Sequence, residues 1–169
     1  IRIASSNPQE IPGEIQVKGD NVFLGYYKNE EATNAVFTED GWFCTGDMGI
    51  LDQDGSLFIK GRTKCMILGP SGQNIYPEEV ETVINSQPYV VDSLVVEDNG
   101  GLTALIYPDF PLGAREGMNQ EQFVKYMEGL LPELNKELPN YAKLKKIKVM
   151  LEDFERTPKK SIKRYLYQR

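Results

Sequence analysis

The chain has 169 residues, of which 40% are hydrophobic and 26% are charged, a composition typical of globular proteins. The formal net charge of −6 argues against a surface devoted to nucleic acid, and no apolar run approaches the roughly 20 residues that span a bilayer. Because histidine is absent and Cys44 and Cys65 lack metal-ligand spacing, the sequence excludes His-based metal sites and Ser-His or Cys-His catalysis.

The first sixty residues are predicted to form strands and turns, because apolar and polar side chains alternate between glycine-bearing turns. In the first strand we expect Ile15 on the apolar face and Gln16 on the polar face. A short helix is predicted where Asn29 supplies an N-cap, and the triplet 45–47 is expected to interrupt the middle strand. The predicted strands cover residues 11–19, 42–51 and 56–60, and the predicted helix covers residues 29–37.

Beyond the polar residues 61–64, helical and strand patterns mix. A helix is predicted with Pro77 at its first helical position. Proline is tolerated there because a backbone N–H at this position would have no intrahelical partner. Asn119 is predicted to cap a second helix that Pro132 kinks or restarts. The remaining predicted elements are strands at 90–97, 102–107 and 146–150, a loop at 108–117 and a last helical turn at 161–167.

Positive charge is concentrated at the end of the chain. Residues 143–169 hold ten Lys or Arg and three Asp or Glu, so an acidic body carries a basic tail. Such a tail can meet a polyanion or an anionic membrane surface, and a solvated basic face is the alternative interpretation.

Three polar clusters carry side chains that can act on a ligand. Asp47 follows Gly46, and a carboxylate there can accept hydrogen bonds from a diol such as a ribose, or can simply cap a turn. Arg62, within 61–64, can bind phosphate or ribose oxygens through its forked guanidinium, or can belong to an exposed linker. The basic loop 156–164 can bring an ammonium to a developing negative charge, or can be a frayed terminus.

The order and spacing of these clusters resemble the adenylate-forming superfamily, which includes acyl-CoA synthetases, luciferases and peptide-synthetase adenylation domains. The resemblance covers nearly the whole chain, and residues 103–109 and 162–164 are most similar to bacterial long-chain fatty acyl-CoA synthetases. The matching motifs are, in family order, residues 13–19 with 25–27, residues 41–49, residues 61–64, residues 72–81 and the loop at Thr157-Pro158.

The resemblance implies an α+β fold in which a small sheet is flanked by helices and preceded by an antiparallel β segment. Residues 1–61 correspond to the end of a large N-terminal domain, residues 62–64 to a hinge, and residues 65–169 to a mobile C-terminal domain. Because Ile1 lies inside an apolar-alternating stretch, we also expect the chain to be a piece of a longer polypeptide.

The family forms an acyl-adenylate from a carboxylic acid and ATP, and then transfers the acyl group to the thiol of CoA. The resemblance implies that the parent protein is a long-chain fatty acid–CoA ligase, a cytoplasmic enzyme of lipid metabolism that uses ATP, Mg²⁺ and CoA. Its partners are expected to be the fatty acid, ATP, CoA and the rest of its own N-terminal domain. Nucleic acid is not expected, and peripheral membrane contact through the basic tail is a further hypothesis.

The resemblance also assigns roles to individual residues, none of them a metal ligand. Asp47 corresponds to the aspartate that binds the ribose hydroxyls, and Arg62 to an arginine that contacts the nucleotide near the ribose and phosphate. Lys64 corresponds to the hinge position about which the C-terminal domain rotates. A glycine-rich loop corresponds to the lining of the CoA channel, and its matching residues are Gly69, Ser71 and Gly72.

The catalytic lysine of the family marks the first departure. It follows a Thr-Pro-Ser-Gly type stretch and precedes an isoleucine, and Ser161 occupies that position here. Lys160 lies one residue earlier and Lys163 two residues later. We predict that a shift of register lets Lys160 reach the carboxylate and the α-phosphate.

The second departure is what the sequence lacks. The Ser/Thr/Gly-rich phosphate loop and the acid pocket of the family do not occur in these 169 residues, so we expect the isolated chain to be inactive and to bind no cofactor tightly. Two alternatives stay open: another acid–CoA ligase or an adenylation domain, and a stand-alone, non-catalytic binding module with the same fold. Ser161 at the lysine position is an argument for the binding module.

Overall fold

The computed structural model describes residues 1–168, and only Arg169, the last of the ten basic residues counted above, lies outside them. The chain divides into two compact units, Ile1–Met66 and a second unit that begins at Ile67. Strands dominate the first unit, whereas strands and helices mix in the second. Small sheets with flanking helices confirm the predicted α+β class.

The first unit is an antiparallel sheet of four strands in the order β1-β2-β3-β4. The strands are β1 Arg2–Ala4, β2 Gly13–Val17, β3 Phe43–Leu51 and β4 Leu57–Arg62. One short helix, α1 Glu30–Asn34, follows β2 in the sequence. The Asn29 side chain accepts a hydrogen bond from the Ala32 N–H at 2.9 Å, which confirms the predicted N-cap.

The predicted interruption at residues 45–47 is wrong, because β3 is continuous through them. Gly46 adopts φ +75°, a conformation that glycine tolerates. Its N–H donates to Glu14 Oε1 at 3.0 Å, and the Thr45 hydroxyl donates to the Ile15 carbonyl at 2.9 Å. These contacts with β2 satisfy polar groups where the register between the two strands is irregular.

A residue that the alternation assigns to the polar face of β2 is buried. Gln16 is only 6% exposed, because its register partners on β1 and β3, Arg2 and Cys44, cover it. Arg2 Nε donates to Gln16 Oε1 at 2.6 Å, and Gln16 Nε2 donates to Cys44 Sγ at 3.4 Å. The predicted polar face of β2 is therefore buried at Gln16, where neighbouring polar side chains satisfy the amide.

The second unit contains a three-stranded sheet in the order β7-β8-β9, with β8 antiparallel to β7 and parallel to β9, and a two-stranded ribbon, β5-β6. The strands are β5 Ile67–Leu68, β6 Asn74–Ile75, β7 Val90–Asp98, β8 Gly101–Pro108 and β9 Leu144–Val149. The helices are α2 Pro77–Asn85, α3 Phe110–Arg115, α4 Gln120–Gly129 and α5 Leu131–Glu137.

The three-stranded sheet buries apolar side chains on both faces, because successive strand residues point to opposite sides. Val95 of β7 belongs to the larger core cluster, together with Phe123 of α4 and Leu134 of α5. The neighbouring Leu94 belongs to a second cluster with Phe154 of the C-terminal segment. Ile162 and Tyr167 pack against this second cluster, so the described part of the C-terminal segment lies on the sheet.

Most predicted elements of this unit are confirmed, including Pro77 at the first position of α2 and the capping of α4 by Asn119. The loop predicted at 108–117 is wrong, because this segment contains α3. The sequence favours a loop there because a proline and Gly113 interrupt the helical pattern. Gly113 is required by packing: a Cβ at this position would lie 2.9 Å from the Phe123 ring of α4.

Candidate functional site

Asp47 and Arg62 are brought together by the pairing of β3 with β4, in which they are direct register partners. Arg62 Nε lies 2.9 Å from Asp47 Oδ1, and the two side chains are 64% and 32% exposed, respectively. An ion pair this exposed contributes only about 0–1 kcal/mol to stability. The carboxylate and the guanidinium are therefore accessible to a ligand.

The backbone around Asp47 is held by the Thr45 side chain, which is bonded in turn to the backbone of the neighbouring strand. The Asp47 N–H donates to the Thr45 hydroxyl at 3.1 Å, and that hydroxyl donates in turn to the Ile15 carbonyl. A fixed carboxylate can accept two hydrogen bonds from a diol, and a guanidinium beside it can donate to a phosphate oxygen. The pair offers both kinds of contact to one ligand.

Lys64 lies in the 3₁₀ turn Thr63–Cys65 that follows β4, and it is exposed. The boundary between the two compact units falls after Met66, two residues further along the chain. The hinge at residues 62–64 stays a prediction, because it concerns a rotation between two conformations.

The residues predicted to line a CoA channel form the turn between β5 and β6. The Gly69 N–H donates to the Gln73 carbonyl at 2.8 Å, and the Gly72 N–H donates to the Gly69 carbonyl at 2.9 Å. Gly72 adopts φ +80°, with open space where a Cβ would lie. The turn borders a cavity of about 520 Å³, whose lining includes Ser71 and Lys143.

The basic C-terminal loop is a tight hairpin closed by an antiparallel bridge between Arg156 and Ile162. The Thr157 N–H donates to the Ser161 carbonyl at 2.8 Å, and the Lys160 N–H donates to the Thr157 carbonyl at 2.8 Å. Lys160 adopts a left-handed conformation with φ 65°. Such a residue commonly ends a three-residue hairpin loop, and glycine is preferred there.

The departure at the lysine position falls at the closing end of this hairpin loop, and the register shift that would let Lys160 replace the family lysine stays a prediction. In the Thr-Pro-Ser-Gly type stretch of the resembling family the glycine precedes the lysine, so Lys160 stands at the glycine position and Ser161 at the lysine position. Lys160 is exposed in the hairpin loop. Lys163 Nζ lies 3.2 Å from Glu155 Oε2, and this pairing raises the pKa of the Lys163 ammonium. Lys160 is therefore better placed than Lys163 to meet an anionic ligand.

Three charged residues that no sequence motif singles out hold this hairpin in place: Glu81, Arg156 and Arg164. Arg164 pairs with Glu81 of α2, and Arg156 Nη2 lies 3.0 Å from Asp92 Oδ2 on β7. The partners are far apart in the sequence, so no local pattern connects them. The one available signal is the helical spacing of Glu81, four residues after Pro77, which places a carboxylate on the buried face of α2.

The ion pairs reduce the charge of the basic tail. Arg156, Lys163 and Arg164, three of the ten basic residues, are paired with carboxylates of the second unit. Within residues 1–168, no group of three or more His, Cys, Asp or Glu side chains could hold a metal ion. Over the same range, every helix is too short or too polar to cross a membrane.

Residues 66–169 match the family described as AMP-binding enzyme C-terminal domain. The chain is 33% identical over 155 residues to a 2-methylpropanoate–CoA ligase of Humulus lupulus, a match that covers 85% of this chain and 28% of that protein. It is 45% identical over 86 residues to a long-chain-fatty-acid–CoA ligase of Mycobacterium tuberculosis, which covers 51% of this chain and 14% of that protein.

Solved structures agree with this match. ATP-bound MatB from Rhodopseudomonas palustris has a TM-score of 0.73 and 33% identity, covering 95% of this chain and 30% of that chain. An o-succinylbenzoate CoA synthetase of Bacillus subtilis, in complex with its acyl-adenylate intermediate, has a TM-score of 0.75 and 32% identity. The match covers 94% of this chain and 31% of that chain. This chain thus spans less than a third of the length of these relatives. It belongs to the AMP-binding enzymes, and residues 66–169 form the C-terminal domain of that family.

Proposed function

We propose that this chain is the C-terminal part of an acid–CoA ligase, which activates a carboxylic acid with ATP and transfers the acyl group to CoA. The observation that carries the proposal is the pairing of Asp47 with Arg62 at 2.9 Å on adjacent strands. This pair offers an acceptor for a ribose diol beside a donor for a phosphate. The 33% identity to an ATP-bound structure supports a nucleotide as the ligand.

The proposed reaction has two steps. A carboxylate oxygen of the acid attacks the α-phosphorus of ATP, and the bond from that phosphorus to the bridging oxygen breaks as pyrophosphate leaves. The CoA thiol then gives its proton to water and attacks the acyl carbon, the bond from that carbon to the bridging oxygen breaks, and AMP leaves with the former carboxylate oxygen. Mg²⁺ accompanies ATP in this proposal and is not assigned to residues of this chain.

For the first step, Asp47 accepts hydrogen bonds from the ribose hydroxyls, and Arg62 donates to the nucleotide near its phosphate. Lys160, in the loop of the hairpin, supplies an ammonium that stabilises negative charge on the carboxylate and the α-phosphate. A positive charge placed where negative charge develops lowers the barrier without forming a covalent bond.

For the second step, we propose a rotation about residues 62–64, with Lys64 at the hinge. Residues 1–61 then belong to the large domain and residues 65–169 to the mobile domain. The turn at Gly69 and Gly72 lines the channel for the thiol arm of CoA, since a turn without bulky side chains lets a slender ligand approach the backbone.

We further propose that the acid is a long-chain fatty acid. The support is the 45% identity over 86 residues to a ligase named for long-chain fatty acids. The relative matched over 155 residues is named for 2-methylpropanoate, a short branched acid, so the chain length of the acid needs a direct assay. A ligation rate that rises from acetate to palmitate supports the proposal. A maximum rate with a short, branched or aromatic acid would contradict it.

The experiment for the nucleotide site is acid-dependent exchange of pyrophosphate into ATP, measured with the native protein that contains this chain. Asp47→Asn keeps the size of the side chain and removes its charge. We expect the KM for ATP to rise about tenfold or more, because charge-assisted hydrogen bonds are worth about 1.5–3 kcal/mol. Asp54→Asn, in the exposed turn between β3 and β4, is the matched control and should leave the KM unchanged. An unaltered KM in Asp47→Asn would contradict the proposed site.

A further inference from the structure

Arg156 lies at the base of the C-terminal hairpin, between two carboxylates. Its Nη2 is 3.0 Å from Asp92 Oδ2 and 2.9 Å from Asp153 Oδ1. The hydrogen bond from Arg156 holds the pKa of the Asp153 carboxyl below its ordinary value. Because the Arg156 and Asp92 side chains are 29% and 25% exposed, their pairing is partly shielded from solvent.

The other terminal nitrogen of this guanidinium contacts the hairpin loop itself. Arg156 Nη1 donates to the Lys160 carbonyl at 3.3 Å. That carbonyl belongs to the residue in the left-handed conformation, which is the strained point of the loop. One side chain therefore links β7, through Asp92, to the backbone of the residue whose ammonium is proposed to stabilise negative charge.

The second arm of the hairpin is anchored independently. Ile162 packs against the core cluster around Phe154. Two residues later, Arg164 pairs with the buried Glu81 of α2, and Glu81 Oε1 accepts from the Val95 N–H at 2.6 Å. Since removal of one partner would leave a buried charge uncompensated, this arm is a fixed support. The loop is then held from both sides.

We propose that Arg156 is a positioning residue for Lys160. Its role is to fix the Lys160 backbone relative to β7, so that the lysine side chain extends from one position during formation of the acyl-adenylate. A lysine cannot replace it fully, because one ammonium lacks the planar fork that joins two carboxylates and a carbonyl. The inference rests on the proposed function for the role of Lys160, whereas the anchoring is a property of the hairpin alone.

The anchoring is tested by limited digestion of the native protein with a protease that cleaves only after lysine, followed by mass spectrometry. Arg156→Gln should raise cleavage after Lys159 and Lys160 roughly fivefold, because cleavage follows the population of the opened loop. Arg115→Gln, exposed at the end of α3, is the matched control and should leave this cleavage unchanged. Unchanged cleavage in Arg156→Gln would overturn the anchoring.

The positioning role is tested by pyrophosphate exchange in Arg156→Gln, Lys160→Ala and the double variant. We expect Arg156→Gln to lower kcat about tenfold or more without changing the KM for ATP, because misplacement of a catalytic group reduces rate more than binding. In the Lys160→Ala background the same substitution should have no further effect, since it acts through the ammonium. Arg156→Lys should restore part of the rate.

The two half-reactions separate positioning from general damage. Transfer of a supplied acyl-adenylate to CoA should be unchanged in Arg156→Gln, whereas a merely structural role would lower both half-reactions and would persist in the Lys160→Ala background. The positioning role would also be contradicted if Lys160→Ala left pyrophosphate exchange unchanged. A native protein without any acid-dependent exchange would contradict the proposed function, and the digestion experiment would still decide the anchoring.

Discussion

Lys160 combines two properties that substitutions can separate: an exposed side chain in the hairpin loop and a left-handed backbone with φ 65°. Replacement by glycine removes the ammonium and relieves the backbone, whereas replacement by alanine removes the ammonium and keeps the strain. We expect Lys160→Gly to be about 1 kcal/mol more stable than Lys160→Ala in urea unfolding, because the left-handed conformation disfavours a Cβ.

Both variants should lose acid-dependent exchange to the same extent, because neither carries the charge. A glycine variant no more stable than the alanine variant would show that the loop does not keep this conformation in solution. Exchange retained by either variant would remove Lys160 from the first step.

The Arg164–Glu81 pair makes a pH-dependent prediction. Burial raises the pKa of the Glu81 carboxyl above its ordinary 4.5, while Arg164 and the Val95 N–H act in the opposite direction and Glu78 adds to the rise. Arg164→Met removes the main opposing charge, so the folded-state pKa of Glu81 rises further. A carboxyl with a raised folded pKa binds more protons in the native state, and stability then falls as pH increases from its unfolded pKa through its folded pKa.

Urea unfolding should therefore show that Arg164→Met loses more stability at about pH 8 than at about pH 5, with a loss near neutrality of about 3 kcal/mol. Lys163→Met is the matched control, since its partner Glu155 is 65% exposed and should give little pH dependence. A loss that is equal at both pH values would mean that Glu81 is not buried as an ion.

Among individual residues, the sequence identifies those whose motif lies within a few neighbouring positions. Asp47 and Arg62 stand beside glycines in short polar clusters, so their chemistry can be inferred before any fold is known. Glu81 and Arg164 cannot be paired in this way, because they are 83 positions apart and only the packing of the C-terminal segment against α2 and β7 brings them together.

Helix α3 shows how packing overrides local propensity at the scale of an element. Gly113 interrupts the helical pattern in the sequence, yet it allows α3 to approach α4 so closely that a Cβ would lie 2.9 Å from the Phe123 ring. The overlooked signal is Asp109, whose carboxylate accepts from the Leu112 N–H at 2.9 Å as an N-cap. Helix α4 is predictable because Asn119 and Gln122 form a capping box within four consecutive residues.

This close approach predicts opposite effects for two glycine substitutions. Gly113→Ala should lower the free energy of unfolding by about 1–3 kcal/mol, because the added methyl overpacks the contact with Phe123. Gly129→Ala, at the end of α4 with open space around its Cβ position, should be neutral or stabilising by up to about 1 kcal/mol. Urea unfolding of the two variants measures the difference, and equal stabilities would contradict the packing of α3 against α4.

At the scale of the whole molecule, the proposed roles are divided between the two compact units. Asp47 and Arg62 belong to the first unit, and the hairpin with Lys160 belongs to the second. The fold class could be inferred from the sequence because the motifs occur in family order over nearly the whole chain. The acid could not be inferred, because the residues that contact it in the family lie outside these motifs.

This chain is proposed to work as the C-terminal part of a longer acid–CoA ligase. The most direct test is the intact mass of the native species in its source cell, isolated with an antibody raised against this chain. We predict roughly three times the 19.2 kDa of this chain, because the chain covers 30% of the related ATP-bound structure. A native species of about 19.2 kDa would contradict the claim and would favour a stand-alone binding module.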